Sequence, residues 1–190
     1  ARARALESQG TGKLCFAYEE AIGFSSGRVV RDKDGLEAAA LFVALCAHLR
    51  KRGEDAYQRL EQLQREHGLF RTRPCTWHCP GPEGAQRISD AMAKLREEMP
   101  RHLGPLEVIR CIDQRREEAS AEMVRVEMKP ESYLALRPSG TEPKLKAYLE
   151  TRIEMTPEET LPEAERRADA TLDDVEDALR ALLGLEEALC

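Results

Sequence analysis

Apolar positions along this chain follow two periods. Around Leu36, Ala39, Ala40, Val43, Cys46, Ala47 and Leu49 they recur every three or four residues, which predicts a helix over 35–51. Asp34, with Glu37 three residues on, offers its N-terminal cap; Gly53 ends it after Arg50, Lys51 and Arg52. The apolar arc is wide, so burial of that helix is expected. A second helix is expected over 54–67, with Ala56, Leu60 and Leu63 inward and Gly68 as its stop. Ala85, Ile88, Met92, Leu95 and Met99 predict a third over 83–99, opened by Pro82 and closed by Pro100. Ala168, Leu172, Val175, Leu179 and Leu182 predict a last one, with Thr156 as a candidate cap, Pro162 as a candidate break, and its acids given to solvent.

Between these stretches the period shortens to two. Leu14–Ala17 is a short continuous apolar run, read as a buried strand. Cys75, Trp77 and Cys79 alternate with Thr76 and His78. Short β-runs follow at Leu106–Ile112 and Met123–Met128, joined by a polar connection around Arg115 and Arg116. Two more flank a turn: Tyr133–Leu136 before it, then Leu145, Ala147 and Leu149 opposite Lys144, Lys146, Tyr148 and Glu150. Residues 75–183 therefore read β-α-β-β-β-β-α, an α+β arrangement with helices on one face of an antiparallel sheet. Gly68–Pro74 reads as a junction, dividing the chain into 1–70 and 71–190.

Composition narrows the function classes. The 190 residues are 42% hydrophobic and 34% charged, with net charge −6. That balance fits a soluble globular protein and shows no basic surface for nucleic acid. No apolar run reaches the roughly 20 residues that span a bilayer. Six scattered cysteines, Cys15, Cys46, Cys75, Cys79, Cys111 and Cys190, fit reduced thiols in the cytoplasm. Cys75, His78 and Cys79 lack the second pair of ligands that a structural zinc site wants. Asp32 and Asp34 read as turn and cap rather than as metal ligands. The first residue is Ala1, not Met, which predicts a chain processed or cut from something longer.

The turn Arg137-Pro138-Ser139-Gly140-Thr141-Glu142-Pro143 carries the candidate chemistry. Its polar groups are nearly all donors: the Arg137 fork, two hydroxyls, and the amides at Gly140 and Thr141, with Lys144 in reach from the next strand. Phosphate wants such a set, because it takes several charge-assisted hydrogen bonds at once. The same residues also suit a tight turn whose Ser and Thr cap their own backbone. Glu19 and Glu20, at the end of the first strand, could accept from sugar hydroxyls, but their pattern alone favours a solvated turn.

Arg137 to Lys144 resembles, over eight consecutive residues, the phosphate-binding loop of the α-D-phosphohexomutases, the phosphoglucomutase and phosphomannomutase superfamily. Glu19-Glu20-Ala21-Ile22-Gly23 resembles the sugar-binding loop of that superfamily's third domain, with Ile22 where many members have Ser. The resemblance implies that 1–70 is the latter part of the third domain and 71–190 the fourth, with its TATA-binding-protein-like fold. It implies that Arg137, Ser139, Gly140 and Thr141, with Lys144, hold the phosphate of a phosphosugar, and that Glu19 and Glu20 hold sugar hydroxyls. It further implies a phosphoserine loop and a Mg²⁺ loop in missing N-terminal domains of the same enzyme, an isomerase moving a phosphoryl group between sugar carbons, and closure of the cleft by a swing at 68–74. A stand-alone phosphosugar-binding or regulatory module without catalysis is the alternative.

Overall fold

The computed structural model describes residues 6–19, 22–26, 30, 32–116 and 121–185. The backbone forms two compact units, Ala1–Leu60 and Glu61–Cys190.

In the first unit, β1 (Phe16–Glu19) and β2 (Gly23–Ser26) make an antiparallel hairpin in which Glu19 faces Gly23. All four β1 residues are exposed, so the expected buried strand at Leu14–Ala17 is instead a shifted, solvated one. Helix α1 (Gly35–Lys51) starts as its cap predicts, with the Asp34 carboxylate accepting from the amides of Leu36 and Glu37 at 3.1 and 3.0 Å. Its expected burial is corrected: Leu49 alone on this helix is buried, while Leu36, Phe42 and Val43 are 87%, 58% and 67% exposed. A wide apolar arc needs a matching apolar surface, and the two-stranded hairpin offers too little. Helix α2 (Ala56–His67), which runs across the boundary between the units, likewise buries none of its residues.

The second unit is a six-stranded antiparallel sheet in the order β3-β8-β7-β6-β5-β4, covered on one face by two helices. Its elements are β3 (Leu69–His78), α3 (Gly84–Glu97), β4 (His102–Leu103), β5 (Leu106–Asp113), β6 (Val124–Lys129), β7 (Ser132–Pro138), β8 (Lys144–Ile153) and α4 (Leu161–Leu183). The expected order recurs, with the two-residue β4 added at the edge. Fully buried Trp77, Leu134, Leu136, Leu145 and Val126 point to the helices and meet Met92 and Leu95 of α3 and Leu172 and Leu179 of α4. At roughly 1.5–3 kcal/mol per large apolar side chain, this layer dominates the unit's stability.

Three expectations change here. Residues 69–78 are not a junction: all ten pair with β8, from Leu69 against Ile153 to His78 against Lys144. Residues 69–74, expected as part of a flexible junction, are therefore regular strand, and of that stretch only Gly68, at φ 95°, lies outside the ladder. Helix α4 begins at Thr160 rather than Thr156, with Glu163 completing a capping box and Pro162 seated harmlessly in the first turn. Nor do all its acids face solvent. Asp169 takes Arg71 of β3 at 2.9 Å, and Asp173 takes Arg73, which clamps α4 to the sheet.

Candidate functional site

The turn between β7 and β8 is held at both ends. The Ser139 amide donates to the Lys144 carbonyl at 2.8 Å, and the Lys144 amide to the Glu142 carbonyl at 2.7 Å. A third bond ties it to the neighbouring strand, from the Cys79 amide to the Pro143 carbonyl at 2.9 Å. Gly84, at the start of α3, lets that helix close on the same place. A Cβ there would overlap the Cys79 carbonyl oxygen and stand 3.3 Å from the Pro143 side chain. Both ends of the turn and one flank are thus tied to the sheet and to α3.

Inside that frame the donors are free. Among the described residues, the amides of Gly140, Thr141 and Glu142 and the hydroxyls of Ser139 and Thr141 make no hydrogen bond. A self-capped turn would have used the two hydroxyls on its own backbone. Gly140 is not demanded by the fold either: its φ lies outside the left-handed range, and a Cβ on it would meet nothing within 4 Å. Ser139, Gly140 and Thr141 form one rim of an open cleft of about 590 Å³, whose far side is Ala85, Ile88, Ser89, Met92 and Arg96 of α3, with Arg115 and Glu122.

Strand alternation sends the cations to the other side of the turn. Leu134, Leu136, Leu145 and Ala147 face the helices, so Arg137, Lys144 and Lys146 face the uncovered side of the sheet. The register places Arg137 directly against Lys146, and His78 against Lys144. Elsewhere on this face cations meet carboxylates: Arg110 and Arg125 meet Glu127, Lys129 meets Glu107, and Arg152 meets Glu131. Among the described residues, Arg137 and Lys146 have no such partner. Like charges directly across a ladder are unfavourable, so this pair is a local focus of positive potential on a chain of net charge −6. Lys144 is paired, with its ammonium 2.9 Å from Glu142. That hydrogen bond, with the added fields of Lys144, His78 and Lys146, holds the Glu142 carboxyl below its ordinary range.

Of the expected residues, the structure therefore joins Ser139, Gly140 and Thr141 at the cleft rim. It sets Arg137 and Lys144 on the adjoining sheet face, outside the cleft lining. Lys146 and His78 were absent from the sequence-based set. Lys146 was legible by counting across the turn, since opposing Pro138 to Leu145 opposes Arg137 to Lys146; His78 required the non-local β3–β8 pairing. Glu19 lies at the end of β1 with Lys33 at 3.3 Å from its carboxylate, and Glu20 lies outside the described residues. Cys75 and Cys79 are buried beneath α3. Among the described residues no three His, Cys, Asp or Glu side chains converge as metal ligands. No helix among them is long and apolar enough to cross a membrane.

A second cluster walls the cleft. Asp113 sits between Arg96 at 3.4 Å and Arg115 at 2.6 Å, and Arg96 also reaches Glu122. Hydrogen bonding from Arg115, with the Arg96 charge behind it, lowers the Asp113 carboxyl from 3.8 to about 2.

No family model matches the chain. Curated proteins do. The phosphoglucomutase of Staphylococcus haemolyticus is 35% identical over 162 residues, covering 78% of this chain and 29% of that protein. The phosphoglucomutase of Staphylococcus epidermidis is 32% identical over 148 residues, 70% of this chain and 27% of its own length. A probable phosphomannomutase of Haemophilus influenzae is 30% identical over 140 residues, 73% of this chain and 28% of its own. Among solved structures, the open form of Paramecium pp63/parafusin, a phosphoglucomutase, superposes with a TM-score of 0.60 at 17% identity, covering 97% of this chain and 33% of that one. That likeness shows the fold. The chain belongs to the phosphoglucomutase and phosphomannomutase superfamily. It spans less than a third of the length of the curated relatives it matches.

Proposed function

We propose that this chain is the C-terminal part of a phosphosugar mutase and supplies the grip on the substrate's phosphate. The observation that carries this reading is the uncommitted donor set of the β7–β8 turn. Three successive amides and two hydroxyls on the turn make no hydrogen bond among the described residues, and Arg137 and Lys146, without a carboxylate ion pair there, stand on the adjoining sheet face. Phosphate matches all three kinds of group: amides and hydroxyls solvate its oxygens, Arg137 offers a fork, and Lys146 adds charge. In this reading Lys144 joins them, and Glu19 and Glu20 serve the sugar hydroxyls of the whole enzyme.

The chain's own residues bind and orient; the phosphoryl transfer belongs to the whole mutase, as does its magnesium. Mutase chemistry needs the bound phosphosugar to present first one phosphorylated carbon and then another. A site that recognises the phosphate dianion rather than its point of attachment serves both. The relatives' names and the chain's coverage of about 29% of their length support a part of an enzyme over a self-sufficient module. We propose that further chain of the same protein covers the exposed apolar face of α1.

The test is an amide-resolved NMR titration of this chain with glucose 6-phosphate and, separately, glucose. Saturable shifts at 139–142 with the phosphosugar alone are expected. Arg137→Ala should weaken them about ten- to a hundredfold, the worth of a charge-assisted pair of hydrogen bonds. Equal response to glucose, or an indifferent Arg137→Ala, contradicts the reading.

A further inference from the structure

One group in the turn is of the wrong sign for a phosphate site. Glu142 lies two residues before Lys144 and holds its ammonium at 2.9 Å. The Lys144 side chain is 24% exposed while that of Glu142 is 55% exposed. The lysine is thus the more enclosed partner, set in β8, and the carboxylate the more exposed one, outside the strand. The free amides of Gly140 and Thr141 precede it, and Lys146 and His78 act on the same carboxylate. A carboxylate here presents two anionic oxygens to the cations that a phosphate would use.

We infer that Glu142 is a built-in competitor for the phosphate, occupying Lys144 in the empty site and giving it up when a phosphorylated ligand arrives. The inference rests on the phosphate reading of this turn and adds a role for the Glu142 side chain, of which that reading uses only the backbone amide. Physically, the carboxylate and the dianion repel each other, and only one can hold Lys144 at contact distance. Binding therefore includes the cost of breaking the pair, and release is assisted by its re-formation. An exposed pair is weak, so the exchange is easily reversed. Such a device suits a site that must let go of one phosphate to accept another, because it lowers affinity without removing any recognition group.

The experiment compares this chain with Glu142→Gln, Lys144→Met and the double variant, each titrated with inorganic phosphate and with glucose 6-phosphate by amide NMR. Glu142→Gln keeps the shape and removes the charge. It should tighten both ligands about three- to tenfold, from the loss of one nearby like charge. In the Lys144→Met background the same substitution should tighten them by a clearly smaller factor. Unchanged or weaker binding by Glu142→Gln overturns the inference and makes Glu142 an orienting partner of Lys144. Equal tightening in both backgrounds overturns the part played by Lys144. If neither the parent chain nor Glu142→Gln saturates, the phosphate reading itself falls, a result distinct from equal saturation by both. Amide shifts of the sheet core, recorded in the same spectra, establish that each variant is folded.

Discussion

Gly140 separates fold from function within a single residue. No backbone angle and no neighbour requires a glycine there, yet it sits between two hydroxyl-bearing residues on the cleft rim. Gly140→Ala should leave stability unchanged or raise it by about 0.4–1 kcal/mol through the unfolded chain. Phosphosugar binding should fall in the same variant, because a methyl group would stand where the ligand approaches the amides. Thermal unfolding and the titration, read together, check both halves. Asp113 gives a second residue-scale prediction. Its carboxyl titrates at about 2 in the fold against 3.8 ordinarily, so its stabilising contribution is full above about pH 4 and is lost as pH falls through 2. Asp113→Asn should therefore flatten the fall in unfolding temperature between pH 4 and pH 2. An identical slope in both proteins would show that the Arg96–Asp113–Arg115 cluster does not form in solution. The loop was legible in the sequence because its chemistry is local, eight residues in a row. Lys146, His78 and the Asp113 cluster were not, because each depends on which strand lies beside which.

At the scale of elements, the alternation of apolar residues was sufficient for five of the six sheet strands and for α3 and α4, since each buries one regular face. It failed where an element lacked a partner surface. Helix α1 carries a broad apolar arc that reads as a core helix and is exposed. It failed again where a non-local ladder outweighed local punctuation. Arg71, Arg73 and Pro74 look like a linker in isolation, and they are strand because all ten residues of β3 pair with β8, with Asp169 and Asp173 of α4 meeting the two arginines. Gly84 offers the sharpest element-scale prediction. Gly84→Ala would drive a methyl group into the Cys79 carbonyl at the point where β3, α3 and the turn meet. A loss of about 3 kcal/mol or more is expected, in the range of severe backbone clashes. Denaturant unfolding measures it. A loss under about 0.5 kcal/mol, the size of an ordinary surface change, would show that α3 does not press on this corner.

At the scale of the molecule, the two units differ in how much they bury. The sheet unit has a continuous core under α3 and α4, whereas α1 buries Leu49 and leaves Leu36, Phe42 and Val43 in water. Exposed apolar patches of this kind mark an interaction surface. Amides of α1 should exchange with solvent much faster than those of β6, β7 and β8 in a dilute solution of this chain. Equal protection in both units would show that the apolar face is already covered. Under the proposal that further chain of the same protein covers α1, adding that chain should slow exchange in this helix.

The central claim is that the β7–β8 turn holds a phosphate. A crystal structure of this chain with glucose 6-phosphate tests it most directly. The phosphate should accept hydrogen bonds from the amides of Gly140 and Thr141 and from the Ser139 hydroxyl, with Arg137 turned onto its oxygens and Lys144 released from Glu142. A phosphosugar bound elsewhere, with those donors facing solvent and the Lys144–Glu142 pair intact, would contradict it.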